Sequence, residues 1–261
     1  MVHPLDHAID VSSRLLPGGN PAPVIHGLPA MPRVSVVLPT LNEAQNLRVL
    51  LPLLPNWLEE VVIVDGHSTD GTVETARAVR EGVQIVQAER RGKGAALRAG
   101  FRAARGDIII ALDADCSMHP REIVLMVGAL LAGGDFVKGS RFIQGGGTDD
   151  MSAIRRLGNW GLTQAVRLLY GGTFSDLCYG YFGFWRRHAE LLEPTCDGFE
   201  VETYLNLQAL RHRLKVIEVP SFEAPRLHGK SNLRALPDGW RVLKTIVRER
   251  VRPVAREGYA W

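Results

Sequence analysis

The chain has 261 residues, room for one large domain or two modest ones around a substantial core. With 46% hydrophobic and 23% charged residues it has the composition of a soluble globular protein, and a net charge of +3 is too mild to argue for nucleic acid. The three cysteines, Cys116, Cys178 and Cys196, are widely spaced and form no CxxC pair, which speaks against a disulfide frame or a zinc site and fits a reducing compartment.

Residues 1–32 are rich in proline and glycine and read as a loose leader without the charged-then-apolar pattern of a signal peptide. No apolar run approaches the ~18 residues that a bilayer span needs, so the expected location is cytoplasmic. From Arg33 the pattern turns regular. VSVVLP (34–39) is a short β-branched run closed by proline and predicts a buried strand. The helix after it is expected to be capped by Asn42, with Leu47, Leu50, Leu51 and Leu54 on one face. Strands over 60–65, 83–88 and 107–113 alternate with helices over 72–81 and 94–105. Strand and helix at this spacing imply right-handed βαβ units on a parallel sheet, whose ligands bind at the carboxyl ends of the strands.

Polar residues stand at those ends. Pro39-Thr40-Leu41-Asn42-Glu43 follows the first strand, Asp65-Gly66-His67-Ser68 the second and Asp113-Ala114-Asp115 the fourth. Ser117 and Pro120 would equally suit a plain helix start after the aspartates, but three acidic strand ends converge on one rim. Two aspartates flanking one residue suit a hard divalent cation, Mg²⁺ or Mn²⁺, that a diphosphate also ligates. Neither a P-loop nor a GxGxxG fingerprint is present; RGKGAALRAG (91–100) is either a helix N-terminus that receives phosphate or a turn with solvated charges.

The stretches VVLPTLNEAQNL (36–47), VVIVDGHSTDGT (61–72), RGKGAALRAGF (91–101), DADCSMHP (113–120), KGSRF (138–142) and SDLCYGYFGFWRR (175–187) together resemble the family 2 glycosyltransferases of the GT-A fold, especially the dolichyl- or polyprenyl-phosphate sugar synthases. The resemblance covers roughly 33–236 and implies a Rossmann-like, mainly parallel sheet flanked by helices: a nucleotide-binding half (33–116) and a less regular acceptor half (117–236). It implies that Pro39, Thr40, Glu43 and Asp65 line a nucleoside pocket closed by Lys93. Asp113, Ala114 and Asp115 would contact ribose and metal, Asp115 as the firmer ligand. Arg141, and Arg155 or Arg156, would face phosphate. The family often reads Asp-Asp-Gly-Ser at the second strand end; here Gly66-His67 replaces a carboxylate, and His67 is either a substitute hydrogen-bonding group or a surface residue.

In the second half, FIQGGGTDD (142–150) is too glycine-rich for a strand or helix interior and reads as a mobile loop: a flap or a plain connector. The helix expected over 198–210 opens with Glu200 and Glu202, ordinary partners of a helix dipole; the family places an acidic residue facing the acceptor about here, which singles out Glu202. After a strand over 214–220, Arg226, His228, Lys230 and Ser231 form a polar loop that the resemblance folds over the diphosphate, with His228 as a metal ligand or a phosphate contact. The tail over 237–261 carries a basic amphipathic helix, docked on the core or resting on an anionic bilayer as a peripheral contact.

The function implied is a metal-dependent, inverting transfer of a hexosyl unit from a UDP- or GDP-sugar to polyprenyl phosphate. The alternatives are a small-molecule or carrier-bound acceptor, for which Glu202 or Asp176 would be the base, and a non-catalytic nucleotide-sugar-binding module. A nucleotidyltransferase would carry a basic, glycine-rich loop after the first strand, and PTLNEAQN has neither property.

Overall fold

The structure, a computed structural model, describes residues 31–231 and 233–253; all but the last two residues of the 1–32 leader, and the end of the tail, fall outside the described residues. From Arg33 onward the chain forms one unit. The first half alternates as the sequence predicts: β1 (Val34–Thr40), α1 (Ala44–Leu53), β2 (Glu60–Asp65), α2 (Thr72–Val79), β3 (Gln84–Gln87), α3 (Lys93–Ala103) and β4 (Ile108–Ala111). A 3₁₀ turn with Pro120 in first position leads into α4 (Ile123–Leu131). Then come β5 (Phe136–Ser140), β6 (Gly147–Thr148), α5 (Ala153–Tyr170), β7 (Phe182–Trp185), α6 (Val201–Arg211), β8 (Val216–Pro220), β9 (Phe222–Glu223) and α7 (Ala235–Val251).

One seven-stranded sheet runs β3-β2-β1-β4-β7-β5-β8, every pair parallel except the two made by β7. Its central strands are continuous apolar runs because both faces are covered. Alternation along β1 sends Val36 and Leu38 to a core shared with α1, α2 and α4, and Val37 to a second core with Leu97 and Phe101 of α3 and Leu205 of α6. A smaller cluster joins Val166 of α5, Leu207 of α6 and Val242 and Ile246 of α7.

Two local expectations are corrected. Asn42 does not cap α1. It takes a left-handed φ of 59° and its side chain accepts from the Thr69 N–H at 2.8 Å, stitching the β1–α1 and β2–α2 loops together. The 142–150 segment is not a free flap: β6 pairs with β9, and Thr148 Oγ1 donates to Glu223 at 2.6 Å. Its glycines serve close approach, since a Cβ on Gly147 would lie 2.9 Å from the Phe222 ring. The tail helix divides its apolar residues, burying Val242 and Ile246 and exposing Leu236, Trp240, Val247 and Val251.

Candidate active site

The acidic strand ends meet on one rim, as parallel topology requires. Thr40 closes β1 and donates to the Val64 carbonyl at 3.1 Å. Asp65 closes β2; it is buried and accepts from the His67 and Ser68 amides and from Gln87 Nε2, all at 3.2 Å to Oδ2. His67 is exposed in a left-handed turn, a surface residue. β4 ends at Ala111, so Asp113-Ala114-Asp115 lies in the loop beyond it. Asp115 Oδ1 accepts from the Ser117 amide at 3.0 Å and its hydroxyl at 2.6 Å.

Each aspartate of the pair meets a different cation. Lys93 Nζ lies 2.5 Å from Asp113 and 2.6 Å from Glu202, the second residue of α6. Burial alone would lower the Lys93 ammonium, but Asp113 and Glu202 outweigh it and hold the group firmly charged. Burial pushes the Asp113 carboxyl up to about 6 against the pull of Lys93. The backbone fixes this cluster. Gly92 and Gly94 lie against the Asp197 and Cys196 carbonyls, closer than a Cβ would permit, and so place Lys93. At Gly180 a Cβ would stand 2.6 Å from Lys93 Nζ and 2.8 Å from Glu202 Oε1, so only glycine leaves the pair room. Sequence reasoning does not reach Gly180, and the one signal for it is a glycine set between the aromatics of CYGYF.

The second cation is Arg226, from the loop after β9. It reaches Asp115 at 3.1 Å and Glu43 at 2.7 Å, tying the carboxyl ends of β1 and β4 to the C-terminal loop. Glu43 also accepts from Asn46 Nδ2 at 2.5 Å, and the same amide donates to the His228 carbonyl at 3.2 Å.

Other predicted site residues lie elsewhere. Arg141 is almost wholly buried and held by carboxylates: Nε and Nη2 grip Asp176 at 2.7 and 2.9 Å, and Nη1 donates to Glu223 at 2.9 Å. Its guanidinium also lies 4.6 Å from the Tyr179 ring centroid. Burial alone would raise the Asp176 carboxyl, but Arg141 holds it below the usual carboxylate range. With no exposed surface, Asp176 is a partner of Arg141 and not a base facing an acceptor. Arg155 pairs with Asp150 at 3.3 Å, and Arg156 stands exposed 6.0 Å from the Phe142 ring. His228 and Lys230 are exposed. Among the described residues no three His, Cys, Asp or Glu side chains gather to hold a cation, so His228 does not complete a metal centre with Asp113 and Asp115. What fits a divalent cation is the two-carboxylate pair alone, a partial donor set that leaves positions for diphosphate oxygens and water.

Glu202 also forms part of an open groove of about 630 Å³ between α5 and α7, walled by Leu157, Leu162, Leu236, Trp240 and Leu243. Arg141 and Arg155 line it too.

The Glycosyl transferase family 2 sequence model matches residues 35–192. The chain belongs to that family. A dolichol-phosphate mannosyltransferase of Pyrococcus furiosus is 29% identical over 211 residues, 77% of this chain and 59% of the relative, so the chain spans little more than half of that protein. A dolichol-phosphate mannosyltransferase of Mycosarcoma maydis is 32% identical over 77% of this chain and 74% of its own length. Among solved structures, glucosyl-3-phosphoglycerate synthase from Mycobacterium tuberculosis, in complex with Mn²⁺, uridine diphosphate and glucosyl-3-phosphoglycerate, superposes with a TM-score of 0.66 at 28% identity, covering 86% of this chain and 82% of that one. The mainly parallel, helix-flanked sheet is the GT-A fold of these family 2 enzymes.

Proposed function

We propose that this family 2 chain transfers a hexosyl unit, with inversion, from a nucleotide diphosphate sugar to polyprenyl phosphate, with Mg²⁺ or Mn²⁺ held by Asp113 and Asp115. One observation carries the choice of acceptor: neither candidate base is free. Asp176 is spent on Arg141, and Glu202 is tied to Lys93 at 2.6 Å. A hydroxyl acceptor needs a proton removed, whereas a phosphate arrives ionised and needs none. The polyprenyl-phosphate names of the relatives support the same acceptor, and the Mn²⁺ and UDP of the solved neighbour support the donor and metal.

When bound, the cation would neutralise charge building on the departing diphosphate. Pro39, Thr40, Glu43 and Asp65 form the floor for the nucleoside at the ends of β1 and β2. Arg226, between Glu43 and Asp115, offers a planar fork to diphosphate oxygens, and Lys230 on the same loop adds charge. Lys93 bridges Asp113 and Glu202 and lends its own charge to an incoming acceptor phosphate. Peripheral membrane contact follows from a lipid acceptor, and the outer sides of α5 and α7 expose Trp160, Leu168, Val247 and Val251. Among the described residues no helix is long and apolar enough to cross a membrane.

A second reading, transfer to a small phosphorylated acceptor, is favoured by the name of the solved neighbour. The test incubates the chain with UDP- and GDP-hexoses and Mn²⁺, offering polyprenyl phosphate or 3-phosphoglycerate. Product on the lipid alone is expected. Product on phosphoglycerate alone would establish the second reading, and donor binding without turnover would make the chain a binding module.

A further inference from the structure

Glycine is the poorest helix former after proline, so a glycine inside a helix needs a reason. The described α-helices contain Gly94, Gly100, Gly128, Gly158, Gly161 and Gly239. Gly94 and Gly100 have one, because a Cβ there would collide with the Cys196 carbonyl or the Val37 side chain. Around Gly158, Gly161 and Gly239 a Cβ would meet nothing within 4 Å. Gly128 is equally open and does not line the groove, so openness alone means little. What distinguishes the other three is that they line the same groove between α5 and α7.

That groove has the chemistry of an amphiphile. Its walls are leucine and tryptophan, and it reaches Glu202 and so the Lys93 cluster, with Arg155 on its lining. Its volume of about 630 Å³ holds the first part of a chain. We propose that Gly158, Gly161 and Gly239 hold this groove open for the hydrocarbon chain of the acceptor lipid phosphate, and so set acceptor specificity; this rests on the reading that the acceptor is a lipid phosphate. Side chains at these positions would occupy the volume the chain takes.

The test compares farnesyl phosphate with inorganic phosphate as probes of the full chain, by thermal shift and calorimetric titration, in wild type, Gly158→Leu and Gly161→Leu. Wild type is expected to prefer farnesyl phosphate, and each leucine variant to lose roughly tenfold or more of that affinity. Inorganic phosphate binding should stay as in wild type, and the melting temperature should not fall. Should leucine prevent folding, the Gly158→Ala/Gly161→Ala pair decides: weaker chain binding with a melting temperature at or above wild type. Leucine or alanine variants that bind farnesyl phosphate as wild type does, or a wild type indifferent to the chain, would overturn the inference. Chain binding that leucine abolishes, without any sugar transfer to polyprenyl phosphate, would leave the groove standing and remove the proposed reaction. Undiminished transfer in the leucine variants would do the reverse.

Discussion

Asp113 and Asp115 leave the sheet together, yet each is neutralised by a cation from a different part of the chain, Lys93 opening α3 and Arg226 after β9. Their place at a strand end is legible in sequence, because an apolar β-branched run that breaks into carboxylates marks the point where a buried strand meets solvent. The partner of Asp115 is not legible, since nothing local links position 115 to position 226. Replacing Arg226 by alanine should therefore act in two directions. Mn²⁺ alone should bind more tightly, read by titration without nucleotide, because a competing cation is gone; transfer should fall, because the diphosphate loses its fork. Faster transfer together with weaker metal binding would remove Arg226 from the rim. Asp115→Ala should abolish metal-dependent nucleotide binding while the chain still folds cooperatively, since the side chain fills no core volume. The Arg141–Asp176 pair behaves differently, being structural. Asp176→Asn leaves Arg141 buried with only Glu223 opposite, which should cost about 3 kcal/mol in urea unfolding. Because the folded carboxyl lies below its unfolded value, its contribution is complete above pH ~3.9 and is lost as pH falls through the depressed folded value. Acid unfolding of wild type should show that step, and Asp176→Asn should lack it.

At the scale of elements, the first half is legible almost to the residue and the second is not, for a physical reason. β1, β2 and β4 are buried on both faces and joined by short helices, so composition alone marks them. Beyond β4 the chain inserts β7 antiparallel between β4 and β5, and short runs such as FVKGS and FGFW carry lysine or glycine that no local rule assigns to a central sheet. Lys138 of β5 is fully buried and donates to the Tyr179 carbonyl at 2.7 Å, a tertiary solution invisible in its neighbours. α5 is hard to see in sequence because Gly158 and Gly161 interrupt it. The docking of α7 also hangs on a buried polar group. Glu249 accepts from Arg211 at 2.6 Å and from Gln208 at 3.0 Å on α6, with no exposed surface of its own. Glu249→Ala would strand Arg211 and should cost roughly 3 kcal/mol. Amide exchange should rise in α7 well before the central sheet, whose strands do not depend on that contact. Uniform loss of protection across the molecule would show that α7 is part of the global folding unit.

At the scale of the whole molecule, a sheet with covered faces confines chemistry to the carboxyl edge, and the proposed acceptor groove opens between α5 and α7. Both helices leave apolar side chains uncovered. Trp160 and Val247 are more than half exposed and Leu168 and Val251 more than three-quarters, while Arg156 and Lys244 stand on the same two helices. Single exposed apolar residues are ordinary, but several on paired helices beside a groove resemble a face that meets another apolar phase. Each basic residue near an anionic bilayer adds about 1 kcal/mol of attraction, and the apolar side chains add their transfer into the headgroup boundary. The discriminating variants avoid the groove. Trp160→Glu and Val247→Glu place charge on the outer sides of α5 and α7 and touch neither the carboxylate rim nor the groove lining. Co-sedimentation with anionic vesicles should fall in both, more in the pair than in either alone. Metal-dependent nucleotide binding should be unchanged, and transfer to a short-chain acceptor in detergent should persist while transfer to vesicle-borne acceptor drops. If the double variant sediments with vesicles as wild type does, α5 and α7 do not carry the protein to the membrane, and a soluble phosphorylated acceptor becomes the better substrate for this rim.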